Sequence, residues 1–165
     1  MMPLETIFLA LVRENRQRLL RVCRVYAWTG QDREDLFQEV QFQIWWALPT
    51  LKEGAYANTW LYRIALNTAI SFVRKGSAAG RRGAGVDVEL LEHRAEEAGA
   101  DGSRMEALYE AIGKLDKAER AAITLFLEEM SYEEIGEVLG LNPGHVGVML
   151  HRTKKKLFEM MKGDV

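Results

Sequence analysis

The chain has 165 residues, of which 48% are hydrophobic, so it can bury a core and is not a disordered polypeptide. Its formal net charge of −2 argues against a protein that coats nucleic acid indiscriminately. A single cysteine, Cys23, excludes an intramolecular disulfide, and no apolar run approaches the ~18 residues of a membrane span. We therefore expect a cytoplasmic protein.

Three amphipathic helices are predicted in the first half of the chain. The first runs from about residue 4 to residue 28. The second, capped by Asp32, runs from 33 to 48, where apolar residues repeat every four positions, and Pro49 ends it. After a loop over 50–57, a third helix is predicted over 58–75. These three helices are predicted to form an N-terminal domain, residues 1–76.

Composition changes after residue 76, where glycine, serine and alanine dominate the chain as far as residue 85. We predict a flexible linker over 77–102, with one short helical turn near 89–94. A second domain, residues 103–165, follows with helices over 104–113, 116–128, 131–139 and 143–161. The predicted fold class is therefore all-α, with two small helical domains joined by the linker.

The last two helices have the boundary signals of a helix-turn-helix. Ser131 and Glu134 have the spacing of a capping box, Gly140 can end the helix in a left-handed conformation, and Asn142-Pro143 can start the next one. An ordinary helical hairpin would use similar caps. The final helix is basic and its predecessor is acidic, which favours approach of the final helix to phosphate.

Two further stretches suggest binding surfaces. Between residues 60 and 82 there are five bases and no acid, which predicts a second contact with a polyanion. The second helix has an acidic, amide-rich side and two adjacent tryptophans, Trp45 and Trp46, that cannot easily both point inward. We predict a protein-docking surface there, the alternative being a tryptophan packed against the first helix.

Three segments together resemble an extracytoplasmic-function (ECF) sigma factor of bacterial RNA polymerase. They are Asp35-Leu-Phe-Gln-Glu-Val-Gln-Phe-Gln-Ile-Trp-Trp-Ala-Leu48, Asn58-Thr-Trp-Leu-Tyr-Arg-Ile-Ala-Leu-Asn-Thr-Ala69, and the helix-turn-helix. The resemblance covers nearly all of the chain except the linker. The Thr-Trp-Leu-Tyr-Arg-Ile-Ala-x-Asn run is more specific than any helix-turn-helix.

The resemblance implies a transcription initiation factor that binds core RNA polymerase and melts promoter DNA. Core polymerase binding is implied for Asp35, Gln38, Glu39, Gln43 and Trp46. Contact with the minus-ten element is implied for Asn58, Thr59, Trp60, Arg63, Asn67, Arg74 and Lys75, next to a base-capture loop over 52–58. Contact with the minus-thirty-five element is implied for His145, Val148, Met149, His151, Arg152, Lys154, Lys155 and Lys156. An anti-sigma factor is a further expected partner.

The chain departs from the family pattern in the reading helix. The family usually has polar, mostly basic residues where Gly147, Val148 and Met149 stand here. Val148 and Met149 can touch thymine methyl groups but cannot donate to guanine or phosphate. We predict a weak or unusual minus-thirty-five preference, the alternative being a C-terminal domain that acts as a clamp or protein-interaction module. Leu66 and Ala57 also depart from common family residues near the minus-ten contacts.

Other functional classes fit less well. A stand-alone helix-turn-helix regulator would leave the docking surface of the second helix unexplained. An enzyme is not expected, because no paired carboxylates, phosphate loop or nucleophile with its base can be argued from the sequence. We likewise expect no metal, no cofactor, no small-molecule substrate and no membrane contact.

Overall fold

The computed structural model describes residues 2–52, 57–78 and 102–163, and the regular elements in those residues are all helical. They are α1 (Leu4–Tyr26), α2 (Gly30–Ala47), a short 3-10 helix (Leu48–Thr50), α3 (Ala57–Ala78), α4 (102–113), α5 (Lys117–Leu127), α6 (Tyr132–Leu139) and α7 (Pro143–Lys162). The predicted all-α fold is confirmed. Most of the predicted linker, with its helical turn at 89–94, lies outside the described residues, as do residues 53–56 of the predicted capture loop.

Helices α1, α2 and α3 form the N-terminal bundle, in which each helix contacts the other two. The four-residue repeat predicted on α2 is buried, from Leu36 through Val40 and Ile44 to Leu48. Leu19 and Val22 of α1 pack into the same core, and so do Leu61 and Ala65 of α3. Burial of these apolar stripes fixes which sides of α2 and α3 remain outward.

The helix ends differ from the sequence-based expectations at three points. Helix α1 stops at Tyr26 because Ala27 is extended, with φ −132° and ψ 125°. The prediction that Asp32 caps α2 is wrong: the cap is Thr29, whose hydroxyl oxygen accepts the Asp32 N–H at 3.0 Å, so α2 begins at Gly30. Helix α3 continues through Gly76 to Ala78, beyond the predicted end at residue 75.

Helices α5, α6 and α7 contact one another and form the C-terminal bundle. We count α4 with this bundle because Arg120 of α5 donates to the Gly113 carbonyl at the end of α4, at 2.7 Å. The core of this bundle includes Ile112, Leu125, Ile135, Val146 and Leu150, all nearly fully buried. Observed and predicted helix bounds agree here to within two residues. The two bundles also touch each other, with α6 lying against α3.

The described residues show no helix that is long and apolar enough to cross a membrane. Within that same part of the chain, no cluster of three His, Cys, Asp or Glu side chains could hold a metal ion. Cys23 is buried in the N-terminal bundle, and burial raises the pKa of its thiol to about 12. A thiol in that environment packs as a small apolar side chain.

Candidate nucleic-acid interface

The turn between α6 and α7 follows the predicted boundary signals. The Glu134 N–H donates to the Ser131 hydroxyl at 3.1 Å, and the Ser131 N–H donates to the Glu134 carboxylate at 3.0 Å. Gly140 ends α6 with φ 74°, a left-handed conformation that favours glycine. Asn142 then caps α7 by accepting the His145 N–H at 2.8 Å. The capping box, the glycine stop and the restart are therefore confirmed.

Two further glycines set how closely α6 approaches its neighbours, and the sequence reading assigned them no packing role. A Cβ at Gly136 would lie 2.3 Å from the Leu141 carbonyl oxygen. The turn between α6 and α7 can therefore lie this close to α6 only because residue 136 has no side chain. A Cβ at Gly147 would lie 3.3 Å from the ring of Tyr132. Gly147, one of the departures from the family pattern, therefore lies beneath an aromatic ring of α6.

Most of the predicted minus-thirty-five contacts lie on the outward sides of α7. The exposed residues among them are His145, Val148, His151, Arg152, Lys154, Lys155 and Lys156. Met149 is half-buried and packs against the core. Helix α7 thus offers an exposed apolar position at Val148, followed by a basic C-terminal half.

Two lysines of the Lys154–Lys156 run on α7 contact α5. The Lys156 ammonium lies 2.9 Å from a carboxylate oxygen of Glu119. The Thr153 hydroxyl, which donates to the Met149 carbonyl at 2.8 Å, lies 3.4 Å from the other oxygen. The Lys154 ammonium lies 3.8 Å from the centroid of the Phe126 ring, which is a cation–π distance. Part of the positive charge of α7 is therefore held by its own bundle.

The predicted minus-ten contacts on α3 divide between the surface and the core. Trp60, Arg63, Asn67 and Arg74 fall on one side of α3, because spacings of three, four and seven residues return to nearly the same direction on a helix. Arg63, Asn67 and Arg74 are exposed, and Trp60 is half-buried. Asn58 and Lys75 are exposed elsewhere on α3, whereas Thr59 is buried.

The outward side of α2 carries the residues predicted to bind polymerase. Gln38, Glu39, Gln43 and Trp46 are exposed, and Asp35 is half-buried. Trp46 is 67% exposed and meets the ring of Phe42 edge-on, with 6.0 Å between ring centroids. Phe42 is itself 52% exposed and was missed by the sequence reading, although it lies one turn before Trp46.

The second tryptophan of α2 has a different environment. Trp45 packs edge-on against Phe8 of α1, with 5.3 Å between ring centroids, and remains partly exposed. The two tryptophans therefore differ: Trp45 packs against α1, as the alternative predicted, and Trp46 is exposed beside Phe42 on the outward side of α2. That this side binds a protein stays a prediction. We call Gln38, Glu39, Phe42 and Trp46 the α2 face.

A cleft of about 550 Å³ between α2 and α3 joins the two sets of predicted contacts. Asp35, Glu39 and Gln43 line it from α2, and Asn67 and Lys75 line it from α3. Residues predicted to bind a protein and residues predicted to bind DNA therefore share one concave site.

Two family models match the chain in order. Residues 11–79 match Sigma-70 region 2, which covers most of the N-terminal bundle, and residues 105–157 match Sigma-70, region 4, which covers most of the C-terminal bundle. The chain belongs to the sigma-70 family. The relatives that this sigma factor resembles include sigma factors of the ECF type.

Three relatives show the extent of the similarity. The ECF RNA polymerase sigma factor SigE of Mycolicibacterium smegmatis is 30% identical over 89% of this chain. The match spans 58% of the length of that relative. RNA polymerase sigma factor SigV of Bacillus subtilis is 25% identical over 98% of this chain and 95% of its own. The ECF RNA polymerase sigma-E factor of Escherichia coli K12 is 29% identical over 76% of this chain and 72% of its own length.

Two solved structures have a similar fold. CnrH, in complex with the cytosolic domain of CnrY, superposes with a TM-score of 0.71 at 26% identity, covering 98% of this chain and 91% of CnrH. The sigma factor RpoE from Bartonella quintana, in complex with the anti-sigma factor NepR, superposes with a TM-score of 0.69 at 23% identity, covering 93% and 97%. The second likeness concerns the fold alone.

Proposed function

We propose that this sigma factor binds core RNA polymerase and directs it to specific promoters, where it recognises and melts the DNA. The observation that carries the proposal is the order of the two family matches, region 2 followed by region 4, each with its predicted contact residues largely at the surface. It acts as a transcription factor rather than as an enzyme. Because the polymerase works in the cytoplasm, we propose the same location for its sigma factor.

The α2 face is the proposed polymerase-binding surface. Exposed aromatic rings next to carboxylates and amides are typical of the central residues of protein interfaces. Phe42 and Trp46 provide the rings, while Gln38 and Glu39 provide the polar rim. By resemblance to the family, this surface binds the coiled coil of the largest polymerase subunit.

The outward side of α3 is the proposed minus-ten contact. Arg63, Asn67 and Arg74 supply cations and an amide on one side of a helix, which suits a displaced strand and an unstacked base. Trp60 adds an aromatic surface at the start of the same side. Thr59 is buried, so we propose that it supports α3 rather than touching DNA.

Helix α7 is the proposed minus-thirty-five reader. Val148 can contact a thymine methyl group, and His145, His151 and Arg152 can donate to base edges or phosphates. With Lys154 and Lys156 held against α5, Lys155 and Arg152 carry most of the phosphate contact. We therefore propose a weak minus-thirty-five preference, with promoter choice resting mainly on the N-terminal bundle.

An anti-sigma factor is the proposed regulatory partner. CnrH, whose structure is similar, was solved with the cytosolic domain of a second protein, CnrY. A partner of the same kind, binding both bundles, would compete with polymerase for this chain.

A binding experiment with substitutions on the α2 face tests the proposed function. Trp46→Ala should weaken binding to core polymerase by about 10- to 30-fold, because exposed tryptophans at interface centres carry much of the binding energy. Leu9→Ala, which removes an exposed apolar side chain of α1 outside the α2 face, is the matched control and should bind normally. Run-off transcription on a library of promoter fragments then tests specificity. Equal binding by both variants, or no specific transcript from the unchanged protein, would contradict the proposal.

A further inference from the structure

One carboxylate of the C-terminal bundle is held by two helices of the N-terminal bundle. Glu128, at the end of α5, accepts hydrogen bonds from Arg21 of α1 on both oxygens, Nε at 2.6 Å and Nη2 at 2.7 Å. The Tyr62 hydroxyl of α3 also donates to Glu128 Oε2, at 3.1 Å. The Glu128 side chain is only 5% exposed. We call this arrangement of Glu128, Arg21 and Tyr62 the Glu128 contact.

The same interface contains further contacts made by arginines, one of them from Arg120 of α5 to the Tyr26 ring of α1 at 5.6 Å. Arg24, three residues after Arg21 and so on the same side of α1, pairs with Glu106 and lies 4.4 Å from the centroid of the Tyr109 ring. Arg63 of α3 donates to the backbone carbonyl of Glu137 in α6 at 2.7 Å. Arginines of the N-terminal bundle thus face carboxylates and a helix carbonyl of the C-terminal bundle, which makes the interface complementary in charge.

The apolar part of this interface is closely packed at Trp28 and bordered by a cleft. Trp28 packs so closely on Gly113 that a Cβ there would lie 2.6 Å from the indole ring. Beside this contact a cleft of about 230 Å³ opens to solvent, lined by Val25, Leu108 and Leu127 and bounded by Arg21 and Glu128. Interfaces between domains that move are smaller and more polar than permanent ones. The two bundles therefore meet at an interface that can separate.

We propose that the Glu128 contact holds this sigma factor in a closed state, which must open before the two bundles can engage two promoter elements. In the closed state Arg63, on the proposed minus-ten side of α3, is bound to α6 of the reading domain. Two promoter elements that lie one or more turns of the duplex apart are separated by roughly 34 Å for each turn. The two bundles must therefore move apart to contact both elements at once. Residues 79–101 give enough chain to span at most roughly 75 Å. The consequence for promoters rests on the proposed function, but the closed state itself does not.

Distance measurements on the full chain test the closed state without polymerase or DNA. Fluorescent labels at Glu14→Cys on α1 and Lys117→Cys on α5, both exposed, report the separation of the bundles, since the natural Cys23 is buried. In the labelled protein that keeps Glu128 and Arg21, most molecules should show a short distance between the two labels. Glu128→Arg, which places two cations together, should shift most molecules to longer distances.

A charge exchange separates loss of this contact from general damage to the fold. Arg21→Glu combined with Glu128→Arg should restore the short-distance population, because the pair is re-formed with reversed signs. Glu129→Arg makes the same charge change one residue away and should leave the distances unchanged. An unchanged distribution in Glu128→Arg, or a shift that the exchange does not reverse, would overturn the proposal.

The promoter consequence is measured separately. With core polymerase, Glu128→Arg should raise specific transcript yield at limiting sigma factor relative to the unchanged chain, and the charge exchange should return it to the original level. Opening without any gain in transcript would overturn the inhibitory role of the closed state. Failure of the unchanged chain to bind polymerase would instead count against the proposed function, since the distance measurements do not depend on it.

Discussion

Two helical glycines of the helix-turn-helix are constrained by different neighbours. At Gly136 the nearest atom to an added Cβ would be a backbone oxygen, that of Leu141, at 2.3 Å. At Gly147 it would be an edge atom of the Tyr132 ring, at 3.3 Å. Backbone in a tight turn cannot move without breaking the turn, whereas an exposed ring can rotate aside. A methyl group should therefore lower the free energy of unfolding by different amounts at the two positions.

Alanine substitution at these two glycines should have effects of different size. Gly136→Ala should lower the free energy of unfolding by about 1–3 kcal/mol, the usual effect of inserting a carbon into a filled space. Gly147→Ala should change it by less than about 1 kcal/mol, because the gain in helix propensity offsets a small shift of Tyr132. Urea denaturation followed by circular dichroism measures both variants. Equal destabilisation by both variants would show that the Tyr132 ring is held in place as firmly as the turn.

At the level of helices, α7 divides its lysines between DNA and its own bundle. Lys155 is exposed, whereas Lys156 pairs with Glu119, whose side chain is only 9% exposed. Lys155→Ala should weaken holoenzyme binding to promoter DNA and reduce the salt dependence of that binding by about one phosphate contact. Lys156→Ala should instead destabilise the C-terminal bundle, by about 1 kcal/mol, because Glu119 loses its cation.

Salt titrations of promoter binding and urea denaturation distinguish the two lysines. Lys155→Ala should reduce the salt dependence of promoter binding and leave the free energy of unfolding unchanged. Lys156→Ala should lower the free energy of unfolding and leave the salt dependence unchanged. If both variants reduced the salt dependence equally, Lys156 would leave Glu119 for a phosphate when DNA binds. In that case the positive charge of α7 would be fully available for reading.

Helix identity was predictable because its signals are local. The apolar repeat of α2 and the caps of α6 and α7 depend on residues within four positions of each other, and the structure confirms them. The cap of α2 was misassigned because Thr29 and Asp32 both have cap-forming side chains three residues apart. Partners distant in sequence carry no such signal: neither Lys156 with Glu119 nor Arg21 with Glu128 follows from any spacing.

At the level of the whole molecule, the closed arrangement and the proposed contact surfaces overlap only in part. The α2 face lies on α2, away from the helices that meet across the interface, whereas Arg63 on α3 lies within it. Polymerase could therefore dock on the α2 face while the bundles are still joined. Opening would then follow docking, which places the control step after polymerase binding and before promoter melting.

The closed state should depend on salt, because ions screen its pairing charges. Arg21 is about half exposed, with 49% of its side chain accessible, so its attraction to Glu128 weakens as the Debye length falls from ~10 Å at 0.1 M to ~3 Å at 1 M salt. Small-angle scattering should show a radius of gyration near ~15 Å, typical of a compact chain of this length, at low salt and a larger value at 1 M KCl. Glu128→Gln should have a larger radius of gyration at low salt, and that radius should change less as salt is added. Glu129→Gln should behave like the unchanged protein. Identical salt responses in all three would mean that the apolar contact of Trp28 with Gly113 joins the bundles, and that the Glu128 contact contributes little.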